Sequence, residues 1–427
     1  MPIKDLTKKS LYVLIIRSIG VLLLFAFTLF ITNYFSAVDV GRYDFVRSVV
    51  MVLGGIALMG TNQSIIYYSG LLKARNSIES IREVYFKMLR IIALISLAIF
   101  CSFVLFFSER SINELFNNEQ SFGLLLKSIL VLIFFSLTML NIDAMRALQK
   151  TILSEIYRSI FRYLPVFLFA LLLIKFDEHS YLVEAYLLGF ILLSFFSSIS
   201  VCRLLRKLKK PTKDTEKVSL AQLFKTSAPM ALSAIAYFIM QSIDVIILSI
   251  YESFDQIAYY SVSVKLATTT ALALMSVNIV IAPKIAEIYE RGSTHDMQEI
   301  IMKSTRIIFF ISLCILSILF LFSDQILSFF GPSYVAANKA LLFLLAAQFF
   351  SAASGPGAIY LNMTGRQIVL NKILLLGLLL NIGLNFYLIP IEGINGAAKA
   401  TLISLVLWNS ITMVYIYSND KVKIFLN

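Results

Sequence analysis

The sequence holds two histidines, three cysteines and one tryptophan in 427 residues, and charged side chains make up only 15% of it. His179 and His295 fall in loops expected on opposite sides of a membrane, so they cannot share a proton-transfer site. Cys101, Cys202 and Cys314 lie in or near separate apolar runs, without C-x-x-C or metal-ligand spacing. They read as small core hydrophobes and imply neither a metal nor a cofactor. Long polar stretches are missing too: no soluble domain fits between the apolar runs. The longest segment expected on the outer side, around 109–123, has no histidine and no room for a domain. That argues against an integral-membrane enzyme such as a polymerase or acyltransferase.

Apolar chain is what remains. The hydrophobic fraction is 59% and the mean hydropathy +0.84, against roughly 45–50% apolar residues in soluble domains. Runs long enough to span a bilayer, about 20 residues each, recur twelve times. The first six cover roughly 11–32, 45–67, 88–108, 124–145, 159–175 and 181–203. The second six cover roughly 226–250, 257–282, 304–323, 337–360, 369–388 and 396–417. The first run is too long for a signal-peptide core and has no small-residue cleavage site, so it reads as the first span. The net charge of +12 is a topology signal: 28 of the 37 Lys and Arg residues lie in the two tails and in alternate loops. The positive-inside rule then places both termini in the cytoplasm, with anionic headgroups as neighbours of the basic loops, and argues against nucleic-acid binding.

The chain repeats itself at half its length. ALMGTN at 57–62 and ALMSVN at 273–278 are 216 residues apart, and the same offset brings Asp39 onto Asp255, Tyr43 onto Tyr259 and Val46 onto Val262 without a gap. The one composition break, RLLRKLKKPTKDTEKVSLAQLFK at 203–225, divides the spans six and six. Three segments follow: an N-terminal lobe at 1–205, a basic cytoplasmic linker at 206–223 and a C-terminal lobe at 224–427. An even number of spans per lobe makes this a parallel repeat, as in several transporter architectures. Asp39 and Asp255 stand where a carboxylate caps a helix. Asn62 and Asn278 are expected to face protein or water.

The spans carry breakers and a few charges. Pro165 interrupts the fifth span, Pro229 opens the seventh, and Gly355-Pro356-Gly357 interrupts the tenth. Each reads either as a static kink or as a hinge for alternating access. A charge at mid-span costs on the order of 2.5–3.5 kcal/mol on insertion scales, so it faces a cavity or a partner, or snorkels to the interface. Both readings stand for Arg17, Arg47 and Lys265 in the first, second and eighth spans. Lys339 and Lys399 lie near an outer interface and read as snorkelling. Asp244 in the seventh span binds a coupling cation or pairs with a basic residue.

PIEGINGAAKATLIS at 390–404 places Gly396, Ala400 and Ser404 on one small-residue face, which lets helices approach closely. This pattern resembles the multidrug/oligosaccharidyl-lipid/polysaccharide exporter superfamily, and within it the Wzx-type O-antigen flippases of the polysaccharide transporter family. GPGAIYLNMTGRQ at 355–367, AMRALQK at 144–150, SAPMALSAIAYFIMQSIDVIIL at 227–248 and FDQIAYYSVSVKLA at 254–267 resemble it in the same order. The resemblance implies an all-α membrane fold of twelve helices in two six-helix lobes. It also implies a flippase for undecaprenyl-diphosphate-linked oligosaccharides in the bacterial inner membrane, serving O-antigen or a similar surface polysaccharide. Polymerase and ligase partners and coupling to H+ or Na+ belong to that expectation. Related lipid II flippases carry two more helices and likewise place basic residues on the helices of Arg17, Arg47 and Lys265, which implies a cationic cavity for the carrier diphosphate. Multidrug and cation exporters share the twelve-helix fold and are the rival reading.

Overall fold

A computed structural model describes residues 3–208 and 218–426; the centre of the expected linker, 209–217, lies outside the described residues. Every regular element among the described residues is helical. The chain divides into two compact units, Met1–Ile246 and Ile247–Asn427. In the first run α1 (Ile3–Tyr34), α2 (Ala37–Leu58), α3 (Thr61–Ala74), α4 (Ile81–Phe106), α5 (Glu109–Leu115) and α6 (Ser121–Ala147). They are followed by α7 (Thr151–Ile156), α8 (Leu164–Lys175), α9 (Leu182–Arg206) and α10 (Leu220–Met240). The unit boundary falls within α11 (Ile243–Tyr251). The second unit holds α12 (Phe254–Thr268), α13 (Ala271–Arg291), α14 (Thr294–Leu321), α15 (Ser323–Ser328), α16 (Asn338–Ala353), α17 (Gly357–Met363), α18 (Gln367–Glu392) and α19 (Ile394–Asp420).

Nine helices or continuous helical runs among the described residues are long and apolar enough to cross a membrane, ten if the bent pair α2–α3 is one span. The expected seventh and eighth spans correspond to the pairs α10–α11 and α12–α13, interrupted at 241–242 and 269–270. A count of twelve is consistent with this. Element order repeats at close to the sequence offset: α7 starts at Thr151 and α18 at Gln367, 216 residues on. Short α5 has its counterpart in α15, and α9 in α19.

In the first unit α6 packs against α2, α3, α4 and α9, and α10 lies against α2, α3 and α4. Hydrocarbon offers no driving force for helices to associate, so close packing and internal polar bonds hold them together. A Cβ on Gly54 would lie 2.4 Å from the Phe135 ring of α6, and one on Gly55 2.6 Å from the Phe238 ring of α10. Buried Asn141 accepts from the Tyr85 hydroxyl at 2.6 Å and donates to Ser197 at 2.9 Å, tying α4 and α9 to α6. The second unit has its core around Ile285, Ile301, Tyr360, Leu361 and Ile416. Gly396, Ala400 and Ser404 are all buried on α19, and a Cβ on Gly396 would meet the Leu388 carbonyl oxygen at 2.3 Å. The expected small-residue face thus packs as a close helix contact. The cysteines do not follow expectation: Cys101 and Cys314 are exposed and Cys202 is half-buried. A small side chain on a lipid-facing surface satisfies the same apolar constraint as one in the core.

The repeated hexapeptides adopt different backbones. Ser36 caps α2, accepting the Asp39 N–H at 3.1 Å, so Asp39 complements the dipole from the first turn without being the cap itself. α2 ends at Met59 and Gly60, both left-handed, and α3 leaves at 41°. A Cβ on Gly60 would lie 2.5 Å from the Ser227 carbonyl oxygen and 2.6 Å from the Ala231 nitrogen. Only glycine supplies both the positive φ and the space for the α10 backbone. Ser276 stands at the equivalent position of the second copy, and α13 runs through it. There the interruption moves to Thr269–Thr270. The Thr268, Thr269 and Thr270 hydroxyls donate to the carbonyls three residues back at 2.9, 2.6 and 2.9 Å, competing with backbone N–H groups.

Gly60→Ala is therefore expected to cost at least about 2 kcal/mol, combining left-handed strain and overpacking. Gly70→Ala, with nothing within 4 Å of the new Cβ, should be tolerated. Thermal unfolding of both variants in the same detergent checks this, and equal melting temperatures would contradict it.

Candidate functional site

The fifth expected span starts earlier than its charge pattern suggests. The helix begins at Thr151, eight residues before the expected start, widens into a π-helical turn at 157–161 and resumes as α8. Pro165 sits in the first turn of α8, where its missing N–H and its ring against the preceding turn are compatible with the widened backbone. A Cβ on Gly20 would lie 2.6 Å from Ser159 Cβ, so α1 touches this turn. The consequence is chemical: Glu155 and Arg158 enter the span, and Arg162 moves from its first turn to its middle.

Most of these charges are neutralised in place. Arg17 of α1 donates from Nε and Nη2 to the Glu155 carboxylate at 3.0 and 2.8 Å, and the Glu155 side chain is only 2% exposed. Arg158 donates to Asp143 of α6, and Asn62 lies close enough to act on the same carboxylate. Arg146 acts electrostatically on both carboxylates. Asn62 thus faces protein, as expected, although its side-chain oxygen makes no hydrogen bond. Asn278 is half-buried, and its oxygen is likewise without one. This first cluster joins α1, α6, α7 and the start of α3.

A second cluster lies around Arg47 of α2. Its Nε donates to Asp44 at 3.1 Å, and the Asp44 side chain is fully buried. The Arg47 terminal amino groups make no hydrogen bond among the described residues. Tyr43, Tyr163 and Tyr186 surround the guanidinium closely enough to act on it electrostatically. The rings of Tyr43 and Tyr186 meet edge-to-face at 5.1 Å, and Tyr186 meets Phe190 at 5.1 Å. Arg162 reaches the same place, 5.9 Å from the Phe190 ring centroid.

The other expected residues take separate positions. Lys265 is buried, 6% exposed, in the last turn of α12. Asp244 is half-buried in the first turn of α11, where a carboxylate complements the helix dipole. Position 229 lies inside α10, which starts at Leu220; it does not open the helix, and the break comes later, at 241–242. Pro356 does separate α16 from α17, as expected. Gly355 has φ +70°, and a Cβ there would lie 2.6 Å from the Ile424 carbonyl oxygen. The segment after α19 covers this break: Leu426 N–H donates to Ala353 at 3.0 Å, and Thr305 Oγ1 to Ile424 at 2.9 Å. Gln298 exchanges two hydrogen bonds with the Lys423 backbone, at 2.8 and 2.7 Å. Nearby, Arg366 makes a two-bond pair with Asp420, which also accepts from the Tyr360 hydroxyl at 2.8 Å. That pair holds the Arg366 pKa above its usual value.

The sequence reading missed Asp44, Asp143, Glu155 and Arg162. The available signal was spacing: Asp44 is three residues before Arg47, and Glu155, Arg158 and Arg162 follow helical periodicity on from the α8 run.

Residues 6–289 match the family model described as Polysaccharide biosynthesis protein, and residues 229–387 match the one described as MatE. An uncharacterised membrane protein of Methanocaldococcus jannaschii is 25% identical over 397 residues, covering 88% of this chain and 77% of that protein. Among solved structures, the lipid II flippase MurJ in an inward closed conformation gives a TM-score of 0.73 at 17% identity, over 94% of this chain and 87% of that one. An inward-facing multidrug resistance MATE family transporter gives 0.75 at 13% identity, over 96% and 98%. The MATE multidrug transporter DinF-BH gives 0.69 at 18% identity, over 98% and 96%. At these identities the likeness shows a common fold.

If the Arg17–Glu155 pair is structural cement, removing one partner strands a charge. Glu155→Ala should cost roughly 3 kcal/mol, and the double variant Arg17→Met/Glu155→Leu should recover most of it. Unfolding midpoints of the two variants against the parent decide the matter. A double variant no more stable than the single one would show the pair contributes otherwise.

Proposed function

Because the chain belongs to the polysaccharide biosynthesis protein family, we propose that it is a flippase carrying undecaprenyl-diphosphate-linked oligosaccharide repeat units across a bacterial inner membrane. The single observation that carries this reading is the surplus of guanidinium groups within the spans of the first unit. Asp44, Asp143 and Glu155 each accept from an arginine, while the Arg47 terminal amino groups stay without a partner among the described residues. A diphosphate cannot cross hydrocarbon unpaired, and arginine offers paired donors matched to phosphate oxygens at any pH the cell meets. Arg17, Arg47 and Lys265 are the proposed cationic path for the headgroup, with the polyprenyl tail left in lipid. The likeness of fold to the lipid II flippase supports a lipid-linked substrate.

The mechanism is alternating access of two six-helix lobes, 1–205 and 224–427, without covalent chemistry. Pro165, Pro229 and Pro356 are its candidate bends. Both termini are taken as cytoplasmic, polymerase and ligase as partners, and an H+ or Na+ gradient, engaged through Asp244, as the candidate drive. The MatE match and the MATE-like neighbours favour a second reading, a multidrug or cation exporter. Such an exporter needs carboxylates free to meet a cation, whereas the three buried ones among the described residues, Asp44, Asp143 and Glu155, are all engaged by arginine.

In a strain lacking its own flippase, Arg47→Ala should lose surface polysaccharide at least tenfold at normal protein abundance, and Arg47→Lys should retain part of it. Polysaccharide blots alongside a drug-resistance assay separate the readings. Full polysaccharide from a triple Ala variant at Arg17, Arg47 and Lys265 would show that these charges only anchor helices.

A further inference from the structure

Arg162 is the most unusual charge in the first unit. It lies eleven residues into the helical run that starts at Thr151 and thirteen before that run ends at Lys175, so it is close to mid-span. It follows directly on the π-helical turn at 157–161, an irregularity that recurs at functional sites. Arg17, Arg47 and Arg158 each have a carboxylate, but among the described residues Arg162 makes no ion pair and no hydrogen bond of ordinary geometry. Its guanidinium rests 5.9 Å from the Phe190 ring centroid instead. A ring face holds the group in position but leaves its N–H donors unsatisfied.

A second orphan lies beside it. Tyr186 is 3% exposed, and its hydroxyl makes no hydrogen bond of ordinary geometry, although Arg162 approaches it. Arg162 and Arg47 both act electrostatically on that hydroxyl, and the Tyr186 ring packs on Phe190 and Tyr43 beside them. A buried hydroxyl without a partner is destabilising. Two guanidinium groups near it repel each other as well. Arg47 spends only Nε on Asp44, leaving two amino groups for another ligand. The spare guanidinium N–H groups are donors, the Tyr186 O–H can donate too, and among the described residues no carboxylate pairs with Arg162 or with the Arg47 amino groups.

We infer that Arg162, Arg47 and Tyr186 form an oxyanion site that takes phosphoryl oxygens, with Phe190 as the platform that fixes Arg162. The inference rests on the flippase reading for its choice of ligand: the diphosphate linking polyprenol to sugar. Two guanidinium groups acting on one tyrosine suit the two phosphoryl groups of a diphosphate better than a single phosphate. Arg162 is then a substrate-binding residue of the first unit beside Arg47, while Arg17, with Nε and Nη2 on Glu155, has only Nη1 to offer the same path.

The test uses the full chain in phosphatidylcholine nanodiscs, with undecaprenyl diphosphate and inorganic pyrophosphate as probes and nanodiscs doped with phosphatidylglycerol as a second source of phosphate. Native mass spectrometry reads the affinity, and a thermal scan checks that each variant is folded. Arg162→Gln should weaken undecaprenyl diphosphate at least about tenfold, Tyr186→Phe should weaken it by a smaller factor, and Arg162→Lys should fall between Arg162→Gln and the parent. Inorganic pyrophosphate should compete, and phosphatidylglycerol should not. If the parent binds undecaprenyl diphosphate and Arg162→Gln and Tyr186→Phe bind it equally well, the site is wrong and the flippase reading survives. If pyrophosphate binds in an Arg162-dependent way but undecaprenyl diphosphate does not, the site stands and the flippase reading fails. Should Arg162→Gln not fold, Arg162→Lys and Tyr186→Phe with unchanged affinity would overturn the inference just as well.

Discussion

The two hydrogen bonds from Arg17 to Glu155 make the polar interior of the first unit possible. A lone carboxylate or guanidinium in hydrocarbon is expensive, but a bidentate pair satisfies both groups and joins α1 to α7. With Glu155 neutralised, the helix can begin at Thr151, which carries Arg158 into the span and Arg162 to its middle. Arg158 then finds Asp143, and the chain has run out of acids in this region by the time Arg162 is reached. Positive charge is left over by construction. The arrangement suits a protein that needs a vacant cation among satisfied ones.

The same residues explain which parts of the molecule were legible in the sequence. The half-length repeat was, because apolar periodicity and flank residues such as Asp39 and Asp255 survive divergence. Gly396, Ala400 and Ser404 were legible because helical spacing puts them on one face whatever the partner is. The start of the fifth span was not. Glu155 and Arg158 look like loop charges until their partners Arg17 and Asp143 are known, and those lie 138 and 15 residues away in sequence. The cap on α2 was misplaced by three residues, because Ser36 and Asp39 are both good caps and only backbone geometry separates them. Among the site residues Arg47 was visible as an intramembrane charge, whereas Arg162 stood in the first turn of the expected span and read as an interface charge until the start at Thr151 moved it to the middle.

Duplication has not kept the copies alike. Gly60 breaks the first copy where the α10 backbone comes close, while the second copy, with Ser276, stays helical there and loosens instead at its threonine run. The Gly355-Pro356-Gly357 break has acquired a cover in the 421–426 segment, held by Gln298, Thr305 and Ala353. A bend at Pro356 therefore has to carry or release that segment, which separates it physically from the bend at Pro165. The proposed alternating access does not require symmetric hinges.

The central claim is that an anionic, diphosphate-linked lipid is what the spare arginine donors serve. Flipping of a fluorescent undecaprenyl-diphosphate oligosaccharide by the purified protein in liposomes tests it most directly, with an excess of a cationic rhodamine dye present as competitor. The account predicts that the lipid is flipped at an undiminished rate and that the dye is not transported. Transport of the dye with no flipping of the lipid would contradict it.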